Sequence, residues 1–225
     1  MRRASDLVCV IAAVLAVPRI ASLLAKRLAS GDAMSSYLTY HHLIQLAMTL
    51  LLMSCFRQSI TMNGFGFNVD KWRQTIKSTL AFCGIYLVPV VVYNILPLWG
   101  DIRATRESLL GVDSGLFAFQ FLLSGTCEEP LFRGFVIRVL QRSWSLAASC
   151  LFSIFLFMLA HMRMNLFPFD FHIDIMQQVW ILCLSIYYVV VFRNTGSLLG
   201  PILAHNYSNG IIFLLMYLLK RIQHS

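Results

Sequence analysis

Two adjacent glutamates, Glu128 and Glu129, stand in an apolar stretch that runs from residue 116 to residue 140. The chain has only three glutamates, so two of them side by side among apolar residues indicate that carboxylates are needed there. An ionised carboxylate in the middle of a bilayer costs roughly 2.5–3.5 kcal/mol on insertion scales, which selects against one that has no role. The pair therefore predicts that the functional site of the protein lies in this segment.

The spacing around this pair predicts different roles for the two acids. Glu129 precedes Arg133 by four residues, which is the favoured order for an ion pair on one helical face. Glu128 is rotated from Glu129 by about 100° on a helix and faces a different neighbour, where an unpaired carboxylate can act as a general base for water. Taken alone, the segment is also compatible with a purely structural Glu–Arg ion pair that is buried between helices.

Two histidines lie in later apolar segments, and each has a partner four residues away on the same helical face. Phe157 precedes His161, and Asn209 follows His205. A single histidine in a membrane helix is more often a satisfied hydrogen-bonding group than a catalyst. Two of them, together with a glutamate pair and an amide, favour amide hydrolysis, which needs a base for water and donors for the oxyanion.

The same residue types leave a metal mechanism open. Glu128, His161 and His205 could instead hold a catalytic zinc ion with one open position. We favour no cofactor, but the sequence does not separate the two chemistries. The other histidines are expected to lie in connections or at the terminus without a role: His41, His42, His172 and His224.

Composition places this centre in a membrane. Hydrophobic residues make up 58% of the 225 residues and charged residues 12%, about half the charge of a typical soluble domain. The apolar runs suit helices of about 20 residues and are too long for the strands of a barrel. We therefore expect an all-α, polytopic transmembrane bundle of about seven spans (six to eight), at residues 7–25, 43–56, 75–99, 116–140, 144–161, 175–192 and 197–219. Pro97 and Gly210 are expected to interrupt the third and seventh spans.

No connection is long enough for a soluble domain, so residues 1–225 are predicted to form one membrane domain. Within it, residues 1–115 hold variable amino-terminal spans and residues 116–219 the catalytic core. The net charge of +8 is attributed to topology and contact with membrane lipids, and no nucleic-acid partner is expected. The sequence does not define an oligomeric state.

Three motifs in order resemble one family. Glu128-Glu129-x-x-x-Arg133, Phe157-x-x-x-His161 and His205-x-x-x-Asn209 are similar to the motifs of the CAAX-protease and bacteriocin-processing (CPBP, or Abi) family of intramembrane endopeptidases, which includes the Ras-converting CAAX endopeptidase. The resemblance covers about residues 116–219. It implies that Glu128 is the general base, that His161 helps to position the water, and that His205 and Asn209 stabilise the oxyanion. It also implies that Glu129 and Arg133 shape the site, with Phe157 as a supporting residue.

The resemblance further implies hydrolysis of peptide bonds in the tails of membrane-anchored or lipidated proteins or peptides, by a glutamic mechanism that needs no metal. We expect a multi-pass protein of a prokaryotic cell membrane. The polar and aromatic stretch at 165–174 is expected to form a loop on the substrate side. The alternative is a non-proteolytic immunity or scaffold protein that binds a hydrophobic peptide, or a proton-coupled carrier. A carrier would be expected to show inverted repeats, and the sequence shows none.

Overall fold

A computed structural model describes residues 2–29, 34–68, 70–90, 122–166, 169–172 and 175–223. The described residues form seven helices and one short β-hairpin. The helices are α1 (Arg2–Leu28), α2 (Met34–Cys55), α3 (Trp72–Val90), α4 (124–140), α5 (Leu146–Ala160), α6 (Ile175–Thr195) and α7 (Leu199–Gln223). The predicted helical membrane bundle is confirmed: the described residues hold seven helices, three of them long and apolar enough to span a membrane, beside the short hairpin.

The apolar character of the helices fits a bilayer. Among the described residues, α1, α2 and α6 contain segments long and apolar enough to cross a membrane, and α5 is a shorter apolar helix. Large apolar side chains on their outer faces are exposed, as expected of surfaces that contact lipid; Leu51 is 67% exposed and Leu151 is 68% exposed. Apolar side chains therefore line both the interior and the outer surface of the bundle.

Two features of the predicted spans are wrong, the start of the second span and the interruption of the seventh. The second helix begins at Met34 instead of residue 43, and within the added stretch His42 is buried against the protein instead of ending the helix. The seventh helix runs through Gly210 without a break. The predicted interruption at Pro97, and the junction of the third and fourth spans, lie outside the described residues.

The expected substrate-side loop contains regular structure. Strand β1 (Arg163–Leu166) pairs antiparallel with β2 (Phe169–His172), with Arg163 opposite His172. Polar and apolar residues alternate along both segments, and aromatic residues favour strands, so the sequence is compatible with this hairpin.

Helix α4 lies at the centre of the bundle. It packs against α2 on one side, α5 on another and α7 on a third, while α7 also packs against α3 and α6. Most α4 side chains are buried, including the whole stretch Pro130–Val136. A helix that is apolar around its full circumference is suited to this position. The two glutamates therefore lie in the protein interior, on a helix whose side chains are mostly buried.

Candidate active site

The helical period of α4 changes directly after the glutamates. Ser124–Glu129 is α-helical, and Pro130–Val136 forms a π-helix. Pro130 has no amide hydrogen, so the regular hydrogen-bond ladder is interrupted there. The hydroxyl of Ser153 on α5 donates to the carbonyl oxygen of Phe132 at 2.8 Å. This bond satisfies a buried carbonyl of the widened turn and ties α5 to it.

Glu129 and Arg133 form the ion pair that their spacing predicts. Arg133 Nε lies 3.2 Å from Glu129 Oε2, and both side chains are fully buried. Arg133 Nη1 also donates to Glu129 Oε1 at 3.2 Å, and Nη2 donates to the Ser185 hydroxyl on α6 at 2.9 Å. The guanidinium is thus compensated by charge and by hydrogen bonds, as a buried charge must be.

His205 on α7 contacts Glu129 and completes this buried group. Its Nδ1 lies 2.7 Å from Glu129 Oε1. The ring stacks on Tyr188 with centroids 5.1 Å apart and an interplanar angle of 13°. The Tyr188 hydroxyl in turn hydrogen-bonds the Ser208 hydroxyl at 2.6 Å. The orientation of the imidazole is therefore fixed on one edge by a carboxylate and on one face by an aromatic ring. We call Glu129, Arg133, Ser185 and His205 the inner cluster.

Phe157 separates the inner cluster from the second histidine. The Arg133 guanidinium carbon lies 4.3 Å from the centre of the Phe157 ring, a cation–π contact. The same ring packs edge-on against His205 at 5.9 Å and lies 4.3 Å from the His161 ring. Phe157 thus forms the aromatic wall that the Phe-x-x-x-His spacing predicts.

Glu128 faces a different set of groups from Glu129. Its Oε1 lies 3.2 Å from His42 Nε2, and its Oε2 lies 3.6 Å from His161 Nε2. Oε2 is buried and makes no hydrogen bond within the described part of the chain. The Glu128 side chain is 16% exposed and that of His161 is 29% exposed, whereas Glu129 is fully buried. Of the two acids, Glu128 is the one that water can reach.

His42 is a member of the site that the sequence reasoning missed. The expectation that it lies in a connection without a role is wrong, because it lies within α2 and contacts Glu128. A sequence signal for it exists. His42, Gln45 and Thr49 are all buried and recur at spacings of three and four, a polar stripe in an otherwise apolar helix.

Asn209 and its neighbour Asn206 attach α7 to the start of α4. Asn209 Nδ2 donates to the Ser124 hydroxyl at 3.0 Å, one turn before Glu128. Asn206 Oδ1 accepts from the Gly125 amide at 2.7 Å. A Cβ atom at Gly125 would lie only 2.7 Å from the Cβ of His205, so glycine permits this close approach of the helices.

The zinc alternative does not fit the side chains as they are placed. Within the described ranges, no group of three or more histidine, cysteine, aspartate or glutamate residues is arranged to hold a metal ion. His205 directs Nδ1 to Glu129, whereas His161 directs Nε2 to Glu128, so the expected trio is divided between the two acids. We therefore derive no step through a metal.

Comparison with known proteins bears on the same part of the chain. Residues 112–211 match the family model described as type II CAAX prenyl endopeptidase Rce1-like. No curated protein and no solved structure matches the chain. The matched range contains all three motifs, so the family resemblance deduced from them is confirmed over these residues. The match leaves α1, α2 and α3 outside it.

Proposed function

We propose that this chain, whose residues 112–211 match the Rce1-like CAAX endopeptidase family, is an intramembrane endopeptidase that uses Glu128 to activate water. Its substrates would be the tails of membrane-anchored or lipidated proteins or peptides. The observation that carries the proposal is the exposure of Glu128 and the contacts of its two oxygens. The Glu128 side chain is 16% exposed, and its buried Oε2, which has no hydrogen bond among the described residues, lies beside an imidazole nitrogen.

The nucleophile would form at Glu128 Oε2. A water molecule bound there gives a proton to the carboxylate as its oxygen attacks the scissile carbonyl carbon. His161 Nε2, 3.6 Å from Oε2, can hold the same water molecule from its other side. His161 Nδ1 is 2.8 Å from the carbonyl oxygen of Phe157, which fixes the ring in this orientation.

The attack places negative charge on the former carbonyl oxygen, and His205 with Asn209 would stabilise it. Glu129 accepts a hydrogen bond from His205 Nδ1 and stabilises the protonated ring, whose Nε2–H is then available to the oxyanion. Asn209 uses one amide hydrogen on Ser124 and retains a second for the substrate. When the intermediate collapses, the proton held by Glu128 passes to the leaving amine, which regenerates the carboxylate.

The inner cluster gives this chemistry a rigid support. Arg133 bonds to both Glu129 and Ser185, so α4 is held to α6 while α7 is held through His205. A site fixed by three helices keeps the oxyanion donors in place before the substrate arrives, which is the condition for effective electrostatic stabilisation. Because the helices expose apolar residues to lipid, the substrate is expected to approach within a membrane, which we propose is a prokaryotic cell membrane.

Cleavage of defined substrates tests this proposal. Purified protein in liposomes is incubated with peptide tails that carry a prenyl group, an acyl group or a transmembrane anchor, and the products are identified by mass spectrometry. We expect wild-type protein to cut at least one lipidated or anchored tail, and Glu128→Gln protein to cut none. Failure of the wild type on every tail would favour the non-proteolytic peptide-binding alternative.

A further inference from the structure

His42 brings a second imidazole to the Glu128 carboxylate, beside that of His161, from outside the region that matches the family. Its Nε2 lies 3.2 Å from Glu128 Oε1, which is closer than the 3.6 Å between His161 Nε2 and Glu128 Oε2. The family match begins at residue 112, whereas His42 lies on α2. The three motifs therefore do not include His42, whose imidazole lies nearer to Glu128 than that of His161.

His42 and His161 are held in the same way. His42 Nδ1 lies 3.0 Å from the carbonyl oxygen of Leu38, four residues earlier. His161 Nδ1 lies 2.8 Å from the carbonyl oxygen of Phe157, also four residues earlier. In each case the main chain fixes one ring nitrogen and directs the other to Glu128. The two rings thus face the two oxygens of one carboxylate, His42 at hydrogen-bond distance and His161 at 3.6 Å.

The hydrogen-bond roles at His42 follow from its partners. A main-chain carbonyl only accepts, so the Nδ1 that contacts Leu38 carries a hydrogen. A carboxylate that acts as a base carries no hydrogen of its own, so the hydrogen of the 3.2 Å Nε2–Oε1 contact lies on the ring, because two lone pairs would otherwise face each other. His42 therefore makes a directional bond to Oε1, and this bond sets the rotation of the carboxyl plane.

We propose that His42 is a positioning residue for the general base. It binds Glu128 Oε1 and leaves Oε2, which has no hydrogen bond in the described structure, directed at the hydrolytic water beside His161. The inference rests on the proposed function. It adds a role for the amino-terminal helices, which supply one of the groups that orient the base.

Three variants separate positioning from a general effect on α2. His42→Leu removes the bond to Glu128, and His42→Gln retains an amide hydrogen at a similar reach. Thr49→Val is the matched control, because Thr49 is buried on the same face and, among the described residues, its hydroxyl bonds within α2, to the Gln45 carbonyl at 2.8 Å. Each variant is reconstituted in liposomes, kcat and KM are measured on a tail that the wild type cuts, and thermal unfolding reports the folded fraction.

We expect His42→Leu to lower kcat by on the order of 10- to 100-fold with KM nearly unchanged, because the base is misdirected while substrate contacts remain. His42→Gln should restore most of kcat, and Thr49→Val should match the wild type. The inference is overturned if His42→Leu keeps the wild-type kcat, if His42→Gln is as slow as His42→Leu, or if the loss lies in KM alone. A wild type that cuts no tail overturns the proposed function itself.

Discussion

Glu128 and Glu129 are neighbours in the chain but have opposite surroundings. Glu129 is fully buried between Arg133 and His205, whereas Glu128 is 16% exposed and leaves one oxygen without a hydrogen bond among the described residues. The helical rotation between adjacent residues is sufficient to cause this difference, because it directs one acid to α6 and α7 and the other to α2 and α5. One acid therefore supports the structure, and the other is available to water.

This difference predicts unequal effects on stability. Glu129→Gln leaves the buried Arg133 without its counter-charge, and the free energy of unfolding should fall by about 3–5 kcal/mol. Glu128→Gln is the matched control. Because the Glu128 side chain is partly exposed, this change should lower the free energy of unfolding clearly less. Chemical unfolding in detergent measures both variants. Equal losses would contradict the assignment of Glu129 to the supporting role.

The sequence predicted part of the site at the level of single residues. The contact of Glu129 with Arg133 follows from a spacing of four on one helix, and Phe157 beside His161 follows in the same way. The contacts of His205 with Glu129 and of His42 with Glu128 could not be derived, because each depends on how two separate helices rotate against each other. Local spacing determines neighbours on one helix and gives no information on neighbours across helices.

At the scale of elements, the close approach of α4 and α7 positions His205 and Asn209, the proposed oxyanion donors. Gly125 lies at the crossing, where its amide donates to Asn206 Oδ1 and its missing side chain makes room for His205. The neighbours that a Cβ would meet include the main-chain carbonyl oxygen of Ile202 at 2.9 Å, which cannot rotate away. The distance between the two helices is therefore limited by this residue.

Gly125→Ala should separate the two helices, lower the free energy of unfolding by about 1–3 kcal/mol and reduce kcat. The control is Gly84→Ala on α3, where an added Cβ meets nothing within 4 Å. That change should be neutral or stabilise the protein by up to about 1 kcal/mol, because alanine favours a helix more than glycine does. Thermal unfolding and cleavage assays compare the two, and similar behaviour of both alanine variants would refute the close-packing account.

Element positions were predicted better than element boundaries. Each of the seven apolar runs overlaps a helix in the described part of the chain, because long apolar segments leave few other structures in a bilayer. The start of α2 was set too late, since His41 and His42 were interpreted as part of a connection. Polar residues on a membrane helix are tolerated where they face the protein, and the sequence alone does not show which face that is.

At the scale of the whole molecule, the amino-terminal helix is fastened to the core by a polar contact. Asp6 on α1 is buried, its Oδ1 lies 3.4 Å from Arg142 Nη1, and its Oδ2 accepts from the Ser143 hydroxyl at 3.2 Å. Arg142 and Ser143 follow the end of α4. This contact links the first helix to the helix that carries the glutamates.

Asp6→Ala should lower the free energy of unfolding by about 1–3 kcal/mol, because the partly buried Arg142 and Ser143 lose their acceptor. Arg3→Gln serves as the control, since Arg3 is exposed on the same helix and should have little effect. Unfolding monitored by tryptophan fluorescence compares the two variants. An Asp6→Ala protein as stable as the wild type would show that the contact contributes nothing to the bundle.

The organisation of residues 1–225 as one membrane domain stays a prediction, as does the division at residue 115 into variable spans and catalytic core. The structure does show why such a division is incomplete as a description of the site. His42 comes from α2, in the part that the motifs do not cover, yet it contacts Glu128. A sequence motif of this kind records residues at a fixed spacing within one helix. The residues of the site, in contrast, come from helices that are far apart in the chain.

The most direct test of the account is the turnover of Glu128→Gln protein on a tail that the wild type cuts, measured with and without a metal chelator. We expect kcat to fall by about 10²–10⁴-fold in the variant, because the general base is lost while the side-chain shape is kept. We also expect the wild-type rate to be unchanged by chelation. A Glu128→Gln protein with wild-type turnover, or a wild type that chelation inactivates and zinc restores, would contradict the glutamic mechanism.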